Sequence, residues 1–502
     1  MKNTLKRFCV CRKGIGCLLL LAVYAISGFG TAAEVPYNNY CVTEWATDAA
    51  APVAYTPQMT VTRIEAEKPD FLEPQDLYIR DGEIYVLDSG NSRIVVLDSN
   101  LQLIRVIGKF TGSGGETLTL NKAQSLFVDE KHDLYIADTE NSRVLKVDGT
   151  GKLLQTFVKP TSAEYTTKFF KPKKVVADPD GTVFVIAEGV YQGALVFEPD
   201  GKFKSFFGSA RVQASVKLIA DRLWKQLLSN DQRSKMSQYV PVEFSNFDID
   251  DEGLIYTCTS FTSGNREQVR KLNYLGNNIY PYTENFGEKD IVGYKQSTYI
   301  TSFVDVCVNE SDILYALDNT RGRIYTFDQE GNRLLVFGNI SDQMGGFRTP
   351  VAIDTLDSRV YVLDYSKGSI TCFLPTEYGQ KILEAVSLYH HGLYEEALAP
   401  WQEVLKMNSN FELGYSGMGQ AMMKLGNYEK AVEYFRLGYD RANESKAFEK
   451  YRNAYLRSHT TLVISVLVLV VLFLVIVTSK CLSQKVFRRK RTKKPEERGM
   501  PK

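Results

Sequence analysis

A ten-residue segment that occurs twice, 50 positions apart, constrains this chain more than any other feature. Ile84–Arg93 reads IYVLDSGNSR, and Leu134–Arg143 reads LYIADTENSR. Weaker copies of the hydrophobic run begin near positions 183, 254, 313 and 360, which gives six units. Because a repeat of this period indicates one supersecondary unit used several times, the chain is expected to form a repetitive fold.

Each unit contains four strand signals, separated by turns. Asp-Gly or Glu-Gly pairs mark several of these turns as hairpins: Asp81–Gly82, Asp180–Gly181, Asp200–Gly201 and Glu330–Gly331. Four antiparallel strands repeated six times predict an all-β six-bladed propeller over residues 53–375. The last unit supplies only three strand signals. We therefore expect the earlier segment Met59–Ile64 to complete the sixth blade and close the ring, which removes an exposed sheet edge.

The units resemble NHL repeats, in which a strand and a D-G turn precede a strand similar to IYVADTGNHR. The resemblance is specific in the first two units and weak in the third and fourth, and it implies a propeller. Asp88, Asn91 and Arg93 recur in the second unit as Asp138, Asn141 and Arg143. Since a catalytic set is used once whereas a scaffold device recurs, we expect this trio to hold the loop between the second and third strands.

Propeller ligands usually meet the mouth of the central channel, where the innermost strands begin. Aligned units place five polar residues there, with Ala352 in the sixth unit: Asp76, Ser125, Lys174, Asn246 and Asp305. These five are the predicted ligand-binding residues because they vary from blade to blade. The alternative is that they are solvated residues with no dedicated ligand.

Two insertions are expected on the same side as this mouth. Residues 209–238 show apolar residues at helical spacing, which predicts an amphipathic helix that acts as a lid or packs on the rim. Residues 280–300 carry Tyr280, Tyr282, Tyr294 and Tyr299 among polar residues. Such rings could form an aromatic platform for a sugar or an extended peptide, or pack as an ordinary loop.

Enzyme signatures are sparse. GxSxG, HExxH and P-loop patterns are absent from the sequence, so no catalytic residue, metal ligand or cofactor is assigned. Related six-bladed propellers nevertheless include calcium-dependent lactonases that use Glu, Asp and Asn at the mouth. That resemblance implies calcium at Asp76, Asn246 and Asp305, and a lactonase- or lyase-like enzyme outside the cytoplasm is the alternative to a binding protein.

The composition changes to Ala, Leu, Glu and Lys after residue 376. Gly392–Ala397 returns as Gly426–Ala431, 34 positions later. This period and the Gly-x-Tyr-x-x-Ala pattern are similar to tetratricopeptide repeats. The resemblance implies two repeats over 376–442, followed by a capping or connecting helix at 443–459. Such a module either binds an envelope partner or serves as a rigid stalk.

The charge distribution predicts a membrane topology. The net charge is only +1, but residues 1–33 carry +5, residues 34–479 carry −12 and residues 480–502 carry +8. Residues 1–33 read as a secretory signal peptide, with an uncleaved anchor as the alternative. The uncharged segment 460–479 is long enough for a transmembrane helix. The basic tail 480–502 then predicts a cytoplasmic C-terminus, with everything between signal and span outside the cytoplasm.

The whole layout resembles bacterial membrane-anchored proteins with NHL and tetratricopeptide repeats, some of them associated with carbohydrate uptake. The resemblance implies a recognition or scaffold protein beside a transporter, with a carbohydrate or peptide as ligand. A nucleic-acid partner is not expected, because the predicted exterior part is acidic. The exterior cysteines Cys41, Cys258, Cys307 and Cys372 fit buried thiols or one disulfide.

Overall fold

The computed structural model describes most of the chain: residues 35–42, 48–62, 70–208, 244–250, 252–259, 268–280, 286, 289–292 and 297–491. The predicted signal 1–33, the predicted helical insertion 209–238 and the end of the basic tail lie outside these residues.

Six antiparallel sheets form the blades of a propeller, and in five of them the described strands are consecutive in the chain. Blade 1 contains Pro74–Arg80, Glu83–Asp88, Arg93–Leu97 and Leu103–Ile107. Blade 2 contains Ser125–Val128, Leu134–Asp138, Arg143–Val147 and Leu153–Val158. Blade 3 contains Pro172–Ala177, Val183–Ala187, Ala194–Phe197 and Phe203–Phe207.

The other three blades follow the same plan. Blade 4 shows three strands among the described residues: Asn246–Ile249, Ile255–Cys258 and Val269–Leu272. Blade 5 contains Phe303–Val308, Leu314–Asp318, Arg323–Phe327 and Arg333–Phe337. Blade 6 contains Pro350–Leu356, Arg359–Asp364, Ser369–Pro375 and the early strand Tyr55–Val61. Short two-stranded sheets join Tyr40–Val42 to Asp48–Ala50, Phe110–Thr111 to Thr117–Leu118, and Lys289–Val292 to Ser297–Ile300.

The ring closes as the sequence predicted. Tyr55–Val61 pairs antiparallel with Ser369–Pro375, so the first strand of the propeller completes its last blade. The innermost strands of blades 1 to 6 then contact one another in a closed circle. Six blades and a closed ring are therefore confirmed.

The sequence explains the local geometry of the blades. The hairpin between Arg80 and Glu83 turns through Asp81 and Gly82, which have φ values of 51° and 78°. Two consecutive positive φ angles are the requirement of a type I′ turn, which Asp-Gly satisfies with little strain. The predicted hairpin at this position is confirmed.

The repeated Asp–Asn–Arg trio has the structural role expected of it. Asn91 Nδ2 and Arg93 Nε both donate to Asp88 Oδ2, at 2.8 Å and 2.7 Å. Asp88 Oδ1 accepts from the backbone N–H of Leu72, at 2.8 Å, in the segment that leads into the blade. The same contacts recur around Asp138 in blade 2. The trio thus fixes blades 1 and 2 to their incoming connections.

Six helices follow the propeller among the described residues, and the first five lie within the predicted helical region 376–459. They are α1 Glu377–His390, α2 Leu398–Met407, α3 Glu412–Lys424, α4 Tyr428–Leu437, α5 Arg441–Ser458 and α6 Thr460–Arg491. Thr376 caps α1, because its hydroxyl accepts from the N–H of Gly379 at 3.3 Å. Within α6, Thr460–Leu482 is long and apolar enough to cross a bilayer.

The helical region and the propeller share one hydrophobic core. Ile382 of α1 and Trp401 of α2 belong to the same buried cluster as Tyr55 and Phe337 of blades 6 and 5. The Thr376 hydroxyl also donates to the carbonyl of Val53, at 2.6 Å, beside the closing strand. Helices α1 to α3 are therefore packed onto blades 5 and 6.

Candidate functional site

The five polar residues predicted at the channel mouth lie together on the propeller axis, but they are buried. Their exposed fractions are 8% or less: Asp76 2%, Ser125 0%, Lys174 8%, Asn246 8% and Asp305 1%. Their side chains mainly contact one another and the backbone of neighbouring blades. Ligand binding by these residues stays a prediction.

Asp76 bridges two blades. Its Oδ1 accepts from the N–H of Leu77 in its own strand at 3.1 Å, and its Oδ2 accepts from the N–H of Leu126 in blade 2 at 2.9 Å. Ser125 Oγ accepts from the N–H of Val175 in blade 3 at 3.3 Å. These bonds satisfy buried backbone donors that no strand of the same sheet reaches.

Asp305 makes the equivalent bridge between blades 5 and 6. Its two oxygens accept from the N–H groups of Val306 and Ile353, at 3.0 Å and 2.8 Å. Asn246 Nδ2 of blade 4 also donates to Asp305 Oδ1, at 2.5 Å. The polar residues at this level therefore join neighbouring blades.

Lys174 reaches across the channel to the two bridging carboxylates. Its Nζ lies 3.1 Å from Asp76 Oδ2 and 3.8 Å from Asp305 Oδ1. Burial opposes the charged ammonium, but the two carboxylates outweigh this effect and raise the pKa of Lys174 above its usual range. Burial raises the pKa of Asp305, although Lys174 opposes that shift. One cation thus holds blades 1, 3 and 5 together at the axis.

This arrangement does not fit a calcium ion at Asp76, Asn246 and Asp305. Calcium needs several free oxygen ligands, whereas these carboxylates already accept backbone bonds and contact the Lys174 ammonium. Within the part of the chain that the structure describes, no group of three His, Cys, Asp or Glu residues is placed to hold a metal ion.

A second level of the channel holds two carboxylates that the sequence analysis did not single out. Asp248 of blade 4 and Asp354 of blade 6 stand two positions after Asn246 and Ala352, on the same side of their strands. Asp248 Oδ2 accepts from the N–H of Val308 in blade 5 at 3.0 Å. Asp354 Oδ2 accepts from the N–H of Ile79 in blade 1 at 2.6 Å. Both side chains repeat the bridge of the first level.

Below this level the channel opens into a cavity of about 490 Å³, which we call the acidic cavity. It lies where the innermost strands of blades 1, 4, 5 and 6 end, opposite the predicted mouth. None of the five predicted mouth residues is among the described residues that line it. Seven lining residues are acidic, and Arg80 is the basic residue among those described: Asp81, Asp248, Asp250, Glu310, Asp354, Asp357 and Glu384.

Helix α1 forms one wall of the acidic cavity. Gln380, Leu383, Glu384 and Ser387 follow the i, i+3, i+4, i+7 spacing of one helix face and line the cavity. Ser387 Oγ lies 3.0 Å from Ser311 Oγ of blade 5, and this contact fixes the helix beside the opening. The cavity therefore belongs to the joint between the propeller and the helical region.

Three carboxyl groups of the acidic cavity, those of Asp248, Asp250 and Asp354, have a raised pKa. Burial raises the pKa of Asp248 to about 6, although bonds from backbone N–H groups oppose the shift. Burial, reinforced by the charge of Asp248, raises the pKa of Asp354. Burial also raises the pKa of Asp250, whose Oδ2 has no hydrogen-bond partner among the described residues. These groups would be stabilised by an added positive charge.

The sequence contained a signal for this site. The position of Asp248 and Asp354 is occupied in the other blades by Tyr78, Phe127, Val176 and Cys307. An acidic residue at a place that is otherwise largely apolar marks a specialised position. The contribution of α1 had no such signal, because the sequence does not show which surface of the propeller a helix covers.

The predicted aromatic platform is only partly described. Tyr280 is 5% exposed and its ring packs 5.5 Å from Phe286, inside the core of blades 4 and 5. Tyr282 and Tyr294 lie outside the described residues. Tyr299 lies in the strand Ser297–Ile300, and its side chain is not described. A platform at these tyrosines stays a prediction, and Tyr280 takes part in it only if the core opens.

A comparison with protein families gives a match within blade 1. A protein-family model described as NHL repeat matches residues 71–97, which span the first three strands of blade 1. A search of curated proteins found no match. The resemblance of the first unit to an NHL repeat is confirmed.

Solved propellers of low sequence identity are similar to this chain. Virginiamycin B lyase from Staphylococcus aureus is 8% identical, with a TM-score of 0.38, over 64% of this chain and 99% of that one. A gluconolactonase from Xanthomonas campestris is 12% identical, with a TM-score of 0.35, over 61% and 86%. A Bacteroides fragilis protein described as exported is 10% identical, with a TM-score of 0.39, over 64% and 94%.

Replacing Lys174 tests the ion cluster on the axis. Lys174→Met leaves buried carboxylates without their cation, and we expect the free energy of unfolding to fall by roughly 3–5 kcal/mol. Urea denaturation of the full chain in detergent measures this change. Lys109→Met, at an exposed lysine, is the control. If Lys174→Met lowers the free energy of unfolding no more than the control does, the Lys174 ammonium does not hold the blades together.

Replacing Asp248 tests the proton held at the acidic cavity. Because folding raises the pKa of Asp248 from 3.8 to about 6, its contribution to stability is present below pH 4 and is lost as the pH rises through 6. Asp248→Asn should reduce the change in the free energy of unfolding between pH 4 and 8 by about 1–2 kcal/mol. The effect is limited to this size because the side of Asp248 that faces the cavity is partly solvated. Denaturation of both proteins between pH 4 and 8 measures it. If the free energy of unfolding changes with pH in the same way for both proteins, Asp248 is not the group that causes the pH dependence.

Proposed function

We propose that this protein is a membrane-anchored binding protein, with its propeller and helical region outside the cytoplasm and a small cationic ligand in the acidic cavity. The observation that carries the proposal is a cavity of about 490 Å³ lined by seven acidic residues and one arginine among the described residues. An ammonium or guanidinium group would pair with these carboxylates and relieve their mutual repulsion.

The shape of the site supports a small ligand. A cavity of this volume is within the usual range of small-molecule sites. Its polar groups come from four blades and α1, so they are held on rigid elements. Leu383 of α1 and Ile313 of blade 5 supply apolar wall for the methylene groups of an amine. The carbohydrate or peptide ligand suggested by the family resemblance fits here only if it carries a positive charge.

Anchoring is supported by α6. Thr460–Leu482 is apolar enough to cross a bilayer, with Lys480 near its end as its one charged residue, and is followed by a basic run at 488–491. Such an asymmetry supports a cytoplasmic C-terminus, with the acidic part of the chain outside. The signal peptide belongs to the same proposal.

The helical region is proposed to contact an envelope partner, which could be a carbohydrate transporter. Its helices resemble tetratricopeptide repeats, and their surface leaves large apolar side chains in solvent, including Leu437 at 55% and Tyr439 at 48%. Exposed apolar groups of this kind favour a protein interface. The acidic exterior disfavours nucleic acid as a partner.

A lactonase- or lyase-like enzyme is the less supported alternative. The residues that would bind calcium in such an enzyme are engaged by Lys174 and by backbone donors. A binding role needs only the charge and volume of the acidic cavity, and we therefore prefer it.

Amine binding tests the proposed site. Calorimetry with the full chain in detergent at pH 7.5 should show binding of 1,5-diaminopentane and none of its diacetylated form, because acetylation removes the charge. The double variant Asp248→Asn/Asp354→Asn should weaken binding at least tenfold, whereas Asp180→Asn on an exposed turn should not. Affinity should fall as the pH drops through 6, because Asp248 becomes protonated. Equal binding of the acetylated compound would refute the proposal.

Photocrosslinking tests the partner. A photoreactive phenylalanine analogue at Leu437 should form a crosslink to a membrane protein in cells, since the side chain is 55% exposed. The same group at Phe169, which is 71% exposed on the propeller, is the control. If both positions give the same crosslinked products, the helical region has no partner of its own and serves only as a support for the propeller.

A further inference from the structure

The second half of α5 exposes an aromatic face directly before the apolar helix. Within α5 only Ala447 is buried, whereas Phe448 is 51% exposed and Tyr455 is 52% exposed. Tyr451 lies 6.3 Å from Tyr455, which stacks on His459 with ring centroids 4.2 Å apart. A helix in water normally buries such a stripe, so this face is suited to another environment.

This face forms one wall of an open groove of about 550 Å³, which we call the juxtamembrane groove. Tyr451, Tyr455 and Ser458 of α5 line one side. Leu425 and Tyr428, from the turn between α3 and α4 and the start of α4, line the other. The groove therefore combines half-buried and exposed aromatic rings with polar backbone and hydroxyl groups and with the Glu429 carboxylate.

The position of the groove in the chain restricts what can occupy it. Tyr455 stands five residues before Thr460, a rise of about 7.5 Å along a helix. The headgroup zone on each side of a bilayer is about 5–8 Å thick. If α6 crosses the membrane, Tyr455 lies at headgroup level, and the groove that it lines opens beside the lipid surface.

The charge of the same segment fits phospholipid. Residues 450–459 contain Lys450, Arg452 and Arg457 and no acidic residue. Basic side chains beside a span are attracted to anionic headgroups, and tyrosine rings are favoured at the membrane interface. Lys450 also lies over the Tyr428 ring, 5.9 Å from its centroid, which links the basic segment to the far wall of the groove.

We propose that the juxtamembrane groove seats on the outer surface of the bilayer, with its tyrosines among the headgroups and Lys450, Arg452 and Arg457 on lipid phosphates. This inference rests on the proposed anchoring by α6. Seating in this way holds the helical region against the membrane. Because the helical region shares a hydrophobic core with blades 5 and 6, the propeller is then held in one orientation relative to the membrane.

Tryptophan quenching tests the proposal with the full chain in lipid nanodiscs. The lipid is phosphatidylcholine with 30% phosphatidylglycerol, with or without a nitroxide on the headgroup. Trp is introduced separately as Tyr455→Trp, Tyr428→Trp and Tyr274→Trp, the last at a 73% exposed site on the propeller. We expect the nitroxide to quench Trp at 455 and 428 at least twofold more than Trp at 274, after subtraction of the wild-type signal.

The three probes separate the possible outcomes. No quenching at 455 would refute the anchoring by α6. Quenching at 455 without quenching at 428 would leave the anchor intact and overturn the seating of the groove. A second copy or a protein partner in the groove would also leave 428 unquenched, so either would overturn the proposal.

Charge reversal supplies the matched test of the lipid contact. Lys450→Glu/Arg452→Glu/Arg457→Glu should reduce quenching at 428 to the level of 274 and leave quenching at 455 in place. Lys109→Glu/Lys131→Glu/Lys168→Glu, at exposed propeller lysines, should change neither. Undiminished quenching at 428 in the first variant would show that the basic residues do not bind the groove to lipid.

Discussion

The propeller depends on side chains that accept hydrogen bonds from backbone N–H groups of the innermost strands. These groups have no pairing strand in the neighbouring blade. Each blade is a separate sheet, so N–H groups that face the next blade need acceptors from outside their own sheet. Asp76, Ser125, Asp248, Asp305 and Asp354 supply these acceptors at five of the six seams. An ionised carboxylate suits this task because its two oxygens can serve two strands at once.

The same solution explains why the channel is acidic. Four of the five bridges are aspartates, and burying several like charges around one axis is unfavourable unless they are protonated or neutralised. Lys174 neutralises the upper level, where it contacts Asp76 and Asp305. The lower level lacks an equivalent lysine among the described residues, and it opens into the acidic cavity. The aspartates of the lower level therefore have two roles: they bridge neighbouring blades, and they line the proposed ligand site.

Much of the architecture could be predicted because it follows from local patterns. The repeat of Ile84–Arg93 indicates the blades, the shortage of one strand indicates closure, and the change in composition with the 34-residue repeat locates the helical region. The role of the Asp88 trio followed from its recurrence. Each of these inferences uses residues that are close in sequence or that recur at a fixed period.

The site was less accessible to prediction because it depends on contacts between distant segments. Lys174 and Asp76 are 98 residues apart, and nothing in either strand shows that they meet across a channel. Burial of the Tyr280 ring depends on Phe286 and the blade 5 core. The wall formed by α1 depends on how a helical region docks on a propeller. These features arise from packing, which a repeat pattern does not specify.

The closing strand has a consequence for synthesis. Thr60 and Thr371, whose hydroxyls lie 3.0 Å apart in blade 6, are separated by 311 residues. At 5–20 residues per second a ribosome needs roughly 15–60 s to make that interval. During this time Tyr55–Val61 has emerged without its partner and presents an open edge to other chains. The nascent protein therefore spends most of its synthesis as an incomplete circle, and cellular factors that shield strand edges would act on its first strand.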